Sequence, residues 1–262
     1  MSSRTYVVTG ASSGMGAATA QRLRADGGRV ITADIKDADV VADLATAEGR
    51  ETFGREVERL ADGVVDGVVA AAGLAIDAPV TAAVNYFGMV ATAESLRPLL
   101  SRSEAPRAVV VSSIAATSPF DQELVDLLLT GAESRALERC RDVAGGSTRG
   151  GGNHIYSSSK HAIARWVRRQ APTPEWAGAG IALNAVGPGV IETAMTAPLL
   201  QDPGKRALLT SSSPAPLNGP AAPPEVPAAL LSWLVSEENS YVTGQVIYID
   251  GGGEAIRRPD HV

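Results

Sequence analysis

Two residues past the middle of the chain have the types and the spacing needed to move a proton. Tyr156 and Lys160 stand four positions apart in a run of helical composition, so they share one helix face and the ammonium can bias the ionisation of the phenol. A serine pair, Ser112-Ser113, ends an apolar run upstream, at the end of a strand where open α/β sheets place reactive groups. The hydroxyl, phenol and ammonium groups are therefore predicted to meet in one site.

A glycine-rich turn near the start of the chain has the pattern of a dinucleotide-binding loop. It follows the apolar run Tyr6–Thr9 and precedes a helical pattern. Such a turn brings backbone close to a pyrophosphate, and the helix N-terminus directs its free N–H groups at the negative charge. The candidate binding residues in this turn are Gly10, Ser12, Ser13, Gly14, Met15 and Gly16.

An acidic residue predicts which dinucleotide binds. Asp34 ends the next strand, roughly 20 residues beyond the turn, where a ribose-binding carboxylate is expected. Its charge would repel a 2′-phosphate, so NAD is favoured over NADP. Lys36 could partly neutralise such a phosphate, but the Ser12-Ser13 pair leaves the turn itself without a basic residue. Further on, Asp43-Leu44 could face the adenine, and a solvated loop aspartate is an equal alternative.

These motifs must be positioned by regularly alternating strands and helices. Short Val- and Ile-rich runs predict buried strands at Tyr6–Thr9, Arg29–Ala33, Val64–Ala71, Arg107–Ser112, Ile181–Val186 and Val246–Ile249. Helical patterns occupy Met15–Asp26, Ala47–Ala61, Ala82–Leu100, Tyr156–Gln170 and Pro224–Ser236. Thr46 can cap the second helix, and a proline suits the start of the last. The fold class is α/β: a single-domain, Rossmann-type, doubly wound parallel sheet with helices on both faces over residues 1–262.

Two segments interrupt this alternation. An insert at about 117–152 has helical composition over Asp121–Asp142 and ends in the glycine-rich run Gly145–Gly152. A second segment, Ala194–Pro224, is dense in Pro, Ser and Ala. Because it follows the carboxyl end of a strand, it is predicted to be a substrate lid, with an unstructured surface excursion as the alternative.

Composition excludes several classes of function. The 262 residues are 45% hydrophobic and carry a net charge of −6, which argues against a nucleic-acid partner. No apolar stretch approaches the roughly 20 residues that cross a bilayer, so no membrane partner is expected. Cys140 is the single cysteine, and the start of the chain lacks the pattern of a secretory signal, so a cytoplasmic location is predicted. The three histidines lack ligand spacing, and no metal is predicted.

Further motifs stand in a characteristic order along the chain: Thr9-Gly10 with Gly14-Met-Gly16, Ala72-Gly73, Asn85, Ser113, Tyr156 with Lys160, Pro188-Gly189 with Thr193, and Tyr241 to Asp250-Gly-Gly. In these residues the chain resembles the short-chain dehydrogenase/reductase family over essentially its whole length. It departs from the family pattern at Ala71, where an asparagine is usual, and this departure affects only a strand-bracing contact.

The resemblance implies roles for the catalytic candidates. Tyr156 would exchange a proton with the substrate oxygen, Ser113 would hydrogen-bond that oxygen, Asn85 would hold a proton-relay water, and Lys160 would bind the nicotinamide ribose and lower the pKa of the phenol. Ser113 is preferred to Ser112 because it matches the second serine of the family pair. The implied cofactor-binding set adds Ala72, Gly73, Tyr156, Lys160, Pro188, Gly189, Ile191 and Thr193, and Asn184 is interpreted as structural.

A narrower resemblance concerns the substrate. The run Ala33–Gly49, the Val84–Gly88 segment, Leu200–Pro203 and the long insert resemble the 3α-hydroxysteroid dehydrogenase/carbonyl reductase branch. It implies a small-molecule alcohol or ketone on an apolar ring system, such as a steroid. The alternatives are the same chemistry on a terpene alcohol or a xenobiotic carbonyl, and a non-catalytic NAD-binding protein.

The insert also bears on assembly. Members of this family commonly pair the helices that contain Asn85 and Tyr156, but here the insert enters directly before the second of these helices. A homodimer through Pro224–Ser236 and the final strand is therefore predicted in preference to a tetramer.

Overall fold

The computed structural model describes residues 3–144 and 153–260. Within them a seven-stranded parallel sheet has the order β3-β2-β1-β4-β5-β6-β7. Its strands are β1 (Thr5–Thr9), β2 (Arg29–Asp34), β3 (Val40–Val41), β4 (Gly67–Ala70), β5 (Arg107–Val111), β6 (Ala182–Pro188) and β7 (Val246–Ile249). The order reverses between β1 and β4, because the chain first builds outward from β1 to β3 and then crosses to the other side. Open α/β sheets bind ligands at such a reversal.

Helices cover both faces of the sheet. They are α1 (Gly14–Ala25), α2 (Ala47–Leu60), α3 (Pro79–Ala82), α4 (Met89–Leu100), α5 (Gln122–Leu129), α6 (Glu133–Val143), α7 (His154–Gln170), α8 (Ala197–Gln201), α9 (Pro203–Ser212), α10 (Glu225–Leu234) and α11 (Gly253–Arg257). Helices α1 and α10 pack together on one face, and α2, α4 and α7 contact strands on the other. This arrangement confirms the predicted doubly wound, single-domain fold.

The central strands form because their Val-rich runs are buried on both faces. Every residue of β1, β4 and β5 is buried, as expected for strands that lie between two helical layers. The edge strand β7 is half-buried throughout. Strand β3 was not predicted, since two residues are too short a run to give a period-2 signal.

The predicted helix Ala82–Leu100 is divided in the structure. It starts earlier, at α3, and passes through a π-helical turn at Ala83–Gly88 before α4. A π-helical turn widens the backbone locally and is frequent at functional sites. The predicted cap of α2 is confirmed, because the Thr46 side chain accepts a hydrogen bond from the Gly49 N–H at 3.0 Å. Pro224 was predicted to start the last helix, but it lies one position before α10 and not in its first turn.

The insert folds into two helices, as its composition predicted. Helices α5 and α6 pack on each other and on α7, and Asp121 caps α5 while it accepts two hydrogen bonds from the Arg139 guanidinium, at 3.1 and 2.7 Å. The glycine-rich run Gly145–Gly152 lies outside the described residues. The proposed lid segment is not unstructured, because it contains α8 and α9.

Within the described ranges no helix is long and apolar enough to cross a membrane. The cytoplasmic location stays a prediction.

Candidate active site

The catalytic candidates converge at the carboxyl edge of the sheet, on two neighbouring elements. Ser113 lies two residues beyond the end of β5 and caps a 3-10 turn at Ile114–Thr117, where its side chain accepts a hydrogen bond from the Ala115 N–H at 3.1 Å. Tyr156 and Lys160 lie one turn apart on α7, as their spacing predicted. The Ser113 side chain lies close enough to Tyr156 to lower the pKa of its phenol, against the effect of burial. The structure therefore brings the hydroxyl, the phenol and the ammonium into one cluster.

The position of Tyr156 depends on a capping residue that the sequence analysis missed. Asn153 caps α7, and its Oδ1 accepts a hydrogen bond from the Tyr156 backbone N–H at 2.9 Å. The same side chain donates to the Ala75 carbonyl at 3.3 Å, on the loop that follows β4. An asparagine before a helical run is a recognised start signal, and it could have placed the start of α7 two residues earlier than predicted.

Ser112 and Ser113 have different roles. The buried Ser112 hydroxyl donates to the Lys160 carbonyl at 2.8 Å and so fastens α7 to the end of β5. Ser113 is the serine that acts on the pKa of Tyr156. The role of Ser113 toward the substrate oxygen stays a prediction.

Lys160 is almost entirely buried. Only 3% of the residue is exposed, its Nζ donates to the Val111 carbonyl at 2.8 Å, and Nζ lies 5.8 Å from the centroid of the Tyr156 ring. Burial lowers the pKa of the Lys160 ammonium to about 7, because the charged form loses its hydration. The side chain is thus poised to gain or lose its charge near neutral pH.

The pKa of Tyr156 is set by opposing influences. Burial raises the pKa of the phenol, and Ser113 acts against this rise. The lowering of the phenol pKa by Lys160 stays a prediction.

Asn85 lies in the π-helical turn and is completely buried. Its side chain accepts from the Leu74 N–H at 2.8 Å, donates to the Leu74 carbonyl at 2.8 Å and donates to Ser159 Oγ at 3.3 Å. The amide thus braces the loop after β4 against α7. A Cβ built on Gly73 would lie 3.1 Å from Asn85 Oδ1 and 3.5 Å from Lys160 Nζ, so the candidate residue Gly73 sits directly against the catalytic cluster.

The glycine-rich turn has the shape of a phosphate cradle. Gly10 and Gly14 have left-handed backbone, with φ of +68° and +53°, and a Cβ on Gly16 would lie 2.2 Å from the Gly10 carbonyl oxygen. Ser13, the N-cap residue of α1, makes no side-chain hydrogen bond to the helix. The first-turn N–H groups, including those of Met15 and Gly16, therefore stay available to an anion.

Asp34 lies beside this turn, at the carboxyl end of β2. Its Oδ2 accepts from the Ser12 N–H at 3.0 Å and its Oδ1 from the Ile35 N–H at 2.7 Å. The Ser12 hydroxyl donates to the carbonyl of Lys36 at 2.6 Å. These contacts fix the carboxylate next to the cradle, where it fits the adenosine ribose of a dinucleotide.

Thr9 supplies a contact that the sequence left open. Its Oγ1 accepts hydrogen bonds from the N–H groups of Ala71 and Ala72, at 3.1 and 3.2 Å. The strand-bracing contact put in doubt by Ala71 is therefore made from the neighbouring strand. A Cβ on Gly10 would lie 2.8 Å from Ala72 Cα, which places the candidate Ala72 against the cradle.

The segment after β6 closes the opposite side of the cradle. A Cβ built on Gly14 would lie 3.1 Å from Thr193 Cγ2, so Thr193 reaches the glycine-rich turn. Pro188 ends β6, and Gly189 donates its N–H to the Ile249 carbonyl at 3.0 Å. Ile191 is buried and pairs with Ala222 in an isolated bridge. Residues far apart in the sequence thus surround one concave site.

The two residues predicted to face the adenine, Asp43 and Leu44, differ in burial. Leu44 is buried, and a Cβ on Gly88 would lie 3.0 Å from Leu44 Cβ, so the leucine side chain belongs to the core. Asp43 is exposed and accepts a hydrogen bond from the Ala45 N–H at 2.9 Å. An adenine contact by either residue stays a prediction. Asn184 is structural, as interpreted: it donates to the Val242 carbonyl at 2.7 Å and accepts from the Gln245 N–H at 3.0 Å.

No group of three or more metal-ligating side chains occurs in the part of the chain that the structure describes. His161 stacks on Phe120 with ring centroids 4.0 Å apart, and Cys140 is buried, with burial raising its pKa to about 12. An inert thiol is expected from that environment.

The fold and this site define a class of protein. A doubly wound parallel sheet carries a dinucleotide cradle at its reversal and a Ser-Tyr-Lys cluster at the same edge, which is the arrangement of a nicotinamide-dependent oxidoreductase. Family models agree: one described as short chain dehydrogenase matches residues 4–125, and one described as Enoyl-(Acyl carrier protein) reductase matches residues 141–254.

Individual relatives match over nearly the whole chain. A 3-alpha-hydroxysteroid dehydrogenase/carbonyl reductase of Comamonas testosteroni is 37% identical over 257 residues, with 97% of each chain covered. A 3beta-hydroxysteroid dehydrogenase 1 of Eggerthella lenta is 30% identical, with 95% of this chain and 93% of that protein covered. The crystal structure of the 3-alpha-hydroxysteroid dehydrogenase from Pseudomonas sp. B-0831 complexed with NADH superimposes with a TM-score of 0.89 at 36% identity and covers 98% of this chain and all of that one.

The chain belongs to the short-chain dehydrogenase/reductase family, and it is an oxidoreductase that acts on alcohol and ketone groups with a nicotinamide cofactor.

Proposed function

We propose that this enzyme uses NAD to interconvert a secondary alcohol and a ketone on an apolar ring system, such as a hydroxysteroid. The observation that carries the proposal is the Ser113, Tyr156 and Lys160 cluster beside the cradle that Asp34 flanks. Relatives named as hydroxysteroid dehydrogenases support the substrate class.

Exposed apolar side chains occur in segments that leave the carboxyl edge of the sheet. Ile76 follows β4, while Met195, Leu199 and Leu217 belong to the segment between β6 and β7. Ligands of open α/β sheets bind at this edge, so exposed apolar groups on these segments support an apolar substrate.

The proton steps follow from the cluster. In the oxidation direction the Tyr156 phenol must first give up its own proton, and Lys160, with its pKa near 7, can take up that proton as a neutral amine. The phenolate then accepts the hydroxyl proton of the substrate, and Ser113 hydrogen-bonds the same oxygen. The bound nicotinamide supplies the acceptor for the hydride that leaves the carbinol carbon. In reduction Tyr156 returns the proton to the ketone oxygen. The relay role of Asn85 stays a prediction.

The variant Tyr156→Phe tests the mechanism. It should lower turnover by at least about 1000-fold, the scale of a lost general acid or base, while NAD binding measured by calorimetry stays within about twofold, because the ring packing is kept.

NADH formation with a hydroxysteroid should exceed that with a terpene alcohol or a xenobiotic carbinol. Wild-type protein that binds NAD but oxidises none of them would favour the non-catalytic alternative, and turnover retained by the variant would remove Tyr156 from the mechanism.

The preference for NAD rests on Asp34. Replacing it with serine removes the negative charge that would face a 2′-phosphate, so the ratio of kcat/KM for NADP to that for NAD should rise by about tenfold or more. Lys36→Met is the matched control and should leave the preference for NAD intact. A wild-type enzyme that prefers NADP in side-by-side kinetics would show that Lys36 outweighs Asp34.

We further propose a homodimer through α10 and β7. The edge strand β7 is half-buried along its length, and the nearby Trp233 and Tyr241 are 37% and 98% exposed. The insert packs on one helix of the alternative surface: α5 contacts α7, and Ser157 Oγ on α7 donates to the Pro119 carbonyl at 2.7 Å. In a two-fold dimer the α10 and β7 surface of one copy would pack against the same surface of the second copy, and this contact would bury these apolar groups.

Sedimentation of the wild type and two variants tests this assembly. Trp233→Arg should give monomers, whereas the control Arg168→Glu, on the exposed end of α7, should remain dimeric. A wild-type tetramer, or monomers formed only by the control, would contradict it.

A further inference from the structure

Arg257 lies in α11, outside the site described so far, and its guanidinium joins two separate segments. On one side Nη1 donates to the Ile114 carbonyl at 3.1 Å, to Thr117 Oγ1 at 2.9 Å and to Ser118 Oγ at 3.2 Å. On the other side Nη2 donates to the Ser212 carbonyl and to Ser213 Oγ. One side chain therefore uses its planar fork to hold five oxygen atoms.

Both segments border the active site. The first is the 3-10 turn that Ser113 caps. The second is the C-terminal end of α9, the longer helix of the proposed lid. None of the residues of α9 is buried, so this helix has little apolar packing of its own to fix it. A polar contact at its end therefore has more influence on its position than it would on a core helix.

The guanidinium is half-buried, which lowers its pKa, while the Asp250 carboxylate acts in the opposite direction. Asp250 also accepts hydrogen bonds from the N–H groups of Gly252 and Glu254, at 3.0 and 2.6 Å. The carboxylate thus holds the start of α11 and supplies a compensating charge for Arg257.

The glycine turn before α11 gives an independent observation of the same junction. A Cβ on Gly253 would lie 2.3 Å from the Pro214 carbonyl oxygen and 2.9 Å from Ile114 Cδ1. The Gly251 carbonyl accepts a hydrogen bond from the Leu217 N–H at 3.0 Å. A Cβ on Gly251 would lie 2.7 Å from the Leu217 carbonyl oxygen. The backbone segments therefore approach too closely for a side chain at Gly251 or Gly253.

We propose that Arg257 is a positioning residue that fixes α9 against the turn behind Ser113 and thereby sets the affinity for the alcohol or ketone substrate. The proposal rests on the proposed function of this site. Among the described residues Arg257 forms no hydrogen bond or ion pair with the glycine-rich turn or with Asp34, so we expect its effect to be confined to the substrate side. We therefore expect the KM for substrate to depend on it and the affinity for NAD not to.

Three variants test the proposal. Arg257→Met keeps most of the aliphatic stem and removes all five contacts, and Arg257→Lys keeps the charge but cannot span both segments with a single ammonium. Arg258→Met is the matched control, because Arg258 is the neighbouring residue and its contacts, an ion pair with Glu254 and a cation–π contact with Tyr248, involve neither α9 nor the turn that Ser113 caps. Amide hydrogen exchange over residues 203–213 is measured on the free enzyme, together with KM, kcat and NAD affinity.

In Arg257→Met, exchange over residues 203–213 should accelerate by about tenfold and KM should rise by about tenfold, as expected for the net loss of one or two hydrogen bonds. Arg257→Lys should fall between this variant and the wild type, and Arg258→Met should match the wild type. Unchanged exchange and KM in Arg257→Met would overturn the proposal, and so would an equal loss of NAD affinity.

The exchange measurement does not depend on turnover. If the wild type oxidises no alcohol, the proposed function fails, and faster exchange of α9 in Arg257→Met alone would still support the positioning role.

Discussion

The buried ammonium of Lys160 should destabilise the folded enzyme at neutral pH, and the variant Lys160→Met should reveal this. The folded state holds the lysine at a pKa of about 7, against an ordinary value of 10.5. At pH 7 this difference corresponds to roughly 4 kcal/mol of unfavourable free energy. The variant also loses the hydrogen bond to the Val111 carbonyl, and this loss offsets about 1–2 kcal/mol of the gain in stability. We expect the variant to be more stable than the wild type by about 2–3 kcal/mol at pH 7.

The dependence on pH distinguishes this effect from better packing by methionine. Below the folded pKa of about 7 the lysine is protonated in both states, so the whole penalty is present. Between that value and 10.5 the unfolded chain binds more protons than the folded one, and the stability of the wild type rises with pH. The advantage of the variant should therefore shrink by about 1.4 kcal/mol for each pH unit above 7.

Urea unfolding followed by tryptophan fluorescence measures this, because Trp166 and Trp176 are buried. The wild type and the variant are compared at equal protein concentration between about pH 6.5 and pH 9.5, where the difference is predicted to change most. Lys205→Met, at an exposed position on α9, is the control and should show no such trend. A stability difference that stays constant with pH, or a wild type that is the more stable protein at pH 7, would refute the argument.

Two further predictions concern the frame of the site. Asn153→Ala removes the cap that holds the Tyr156 N–H, so the free energy of unfolding should fall by about 1 kcal/mol and kcat should fall with it. Asn153→Asp keeps a capping oxygen and should restore both. An Asn153→Ala variant as active and stable as the wild type would count against the cap. Gly16→Ala would place a Cβ 2.2 Å from the Gly10 carbonyl oxygen, so calorimetry should show NAD affinity reduced by at least about tenfold, and unchanged affinity would contradict the proposed cradle.

The fold could be predicted from the sequence because the strand and helix patterns of this chain are local and strong. The Val-rich runs that became β1 and β5 lie almost where predicted, since strands buried on both faces must be continuously apolar. The two-residue strand β3 and the π-helical turn at Ala83–Gly88 were not readable. Both depend on the neighbours that the chain meets after folding, and neither leaves a period in the sequence.

The candidate residues were also readable, but their environments were not. The spacing of Tyr156 and Lys160 fixed their common helix face, as the structure confirms. It could not show that Lys160 is buried against the Val111 carbonyl, because that contact comes from a strand 49 residues away in the sequence. The spacing also could not show that burial raises the pKa of the Tyr156 phenol.

By itself, the sequence determined the fold class, the dinucleotide turn and the chemical types of the catalytic groups, because all of these depend on spacing within single elements. Only the tertiary structure decided how Lys160 is buried, how Thr193 reaches Gly14, and that Arg257 joins α9 to the turn behind Ser113. Those contacts arise when parallel strands align their carboxyl ends at one edge of the sheet. Distances across that edge, and the burial that shifts a pKa there, exist only once the whole chain has folded.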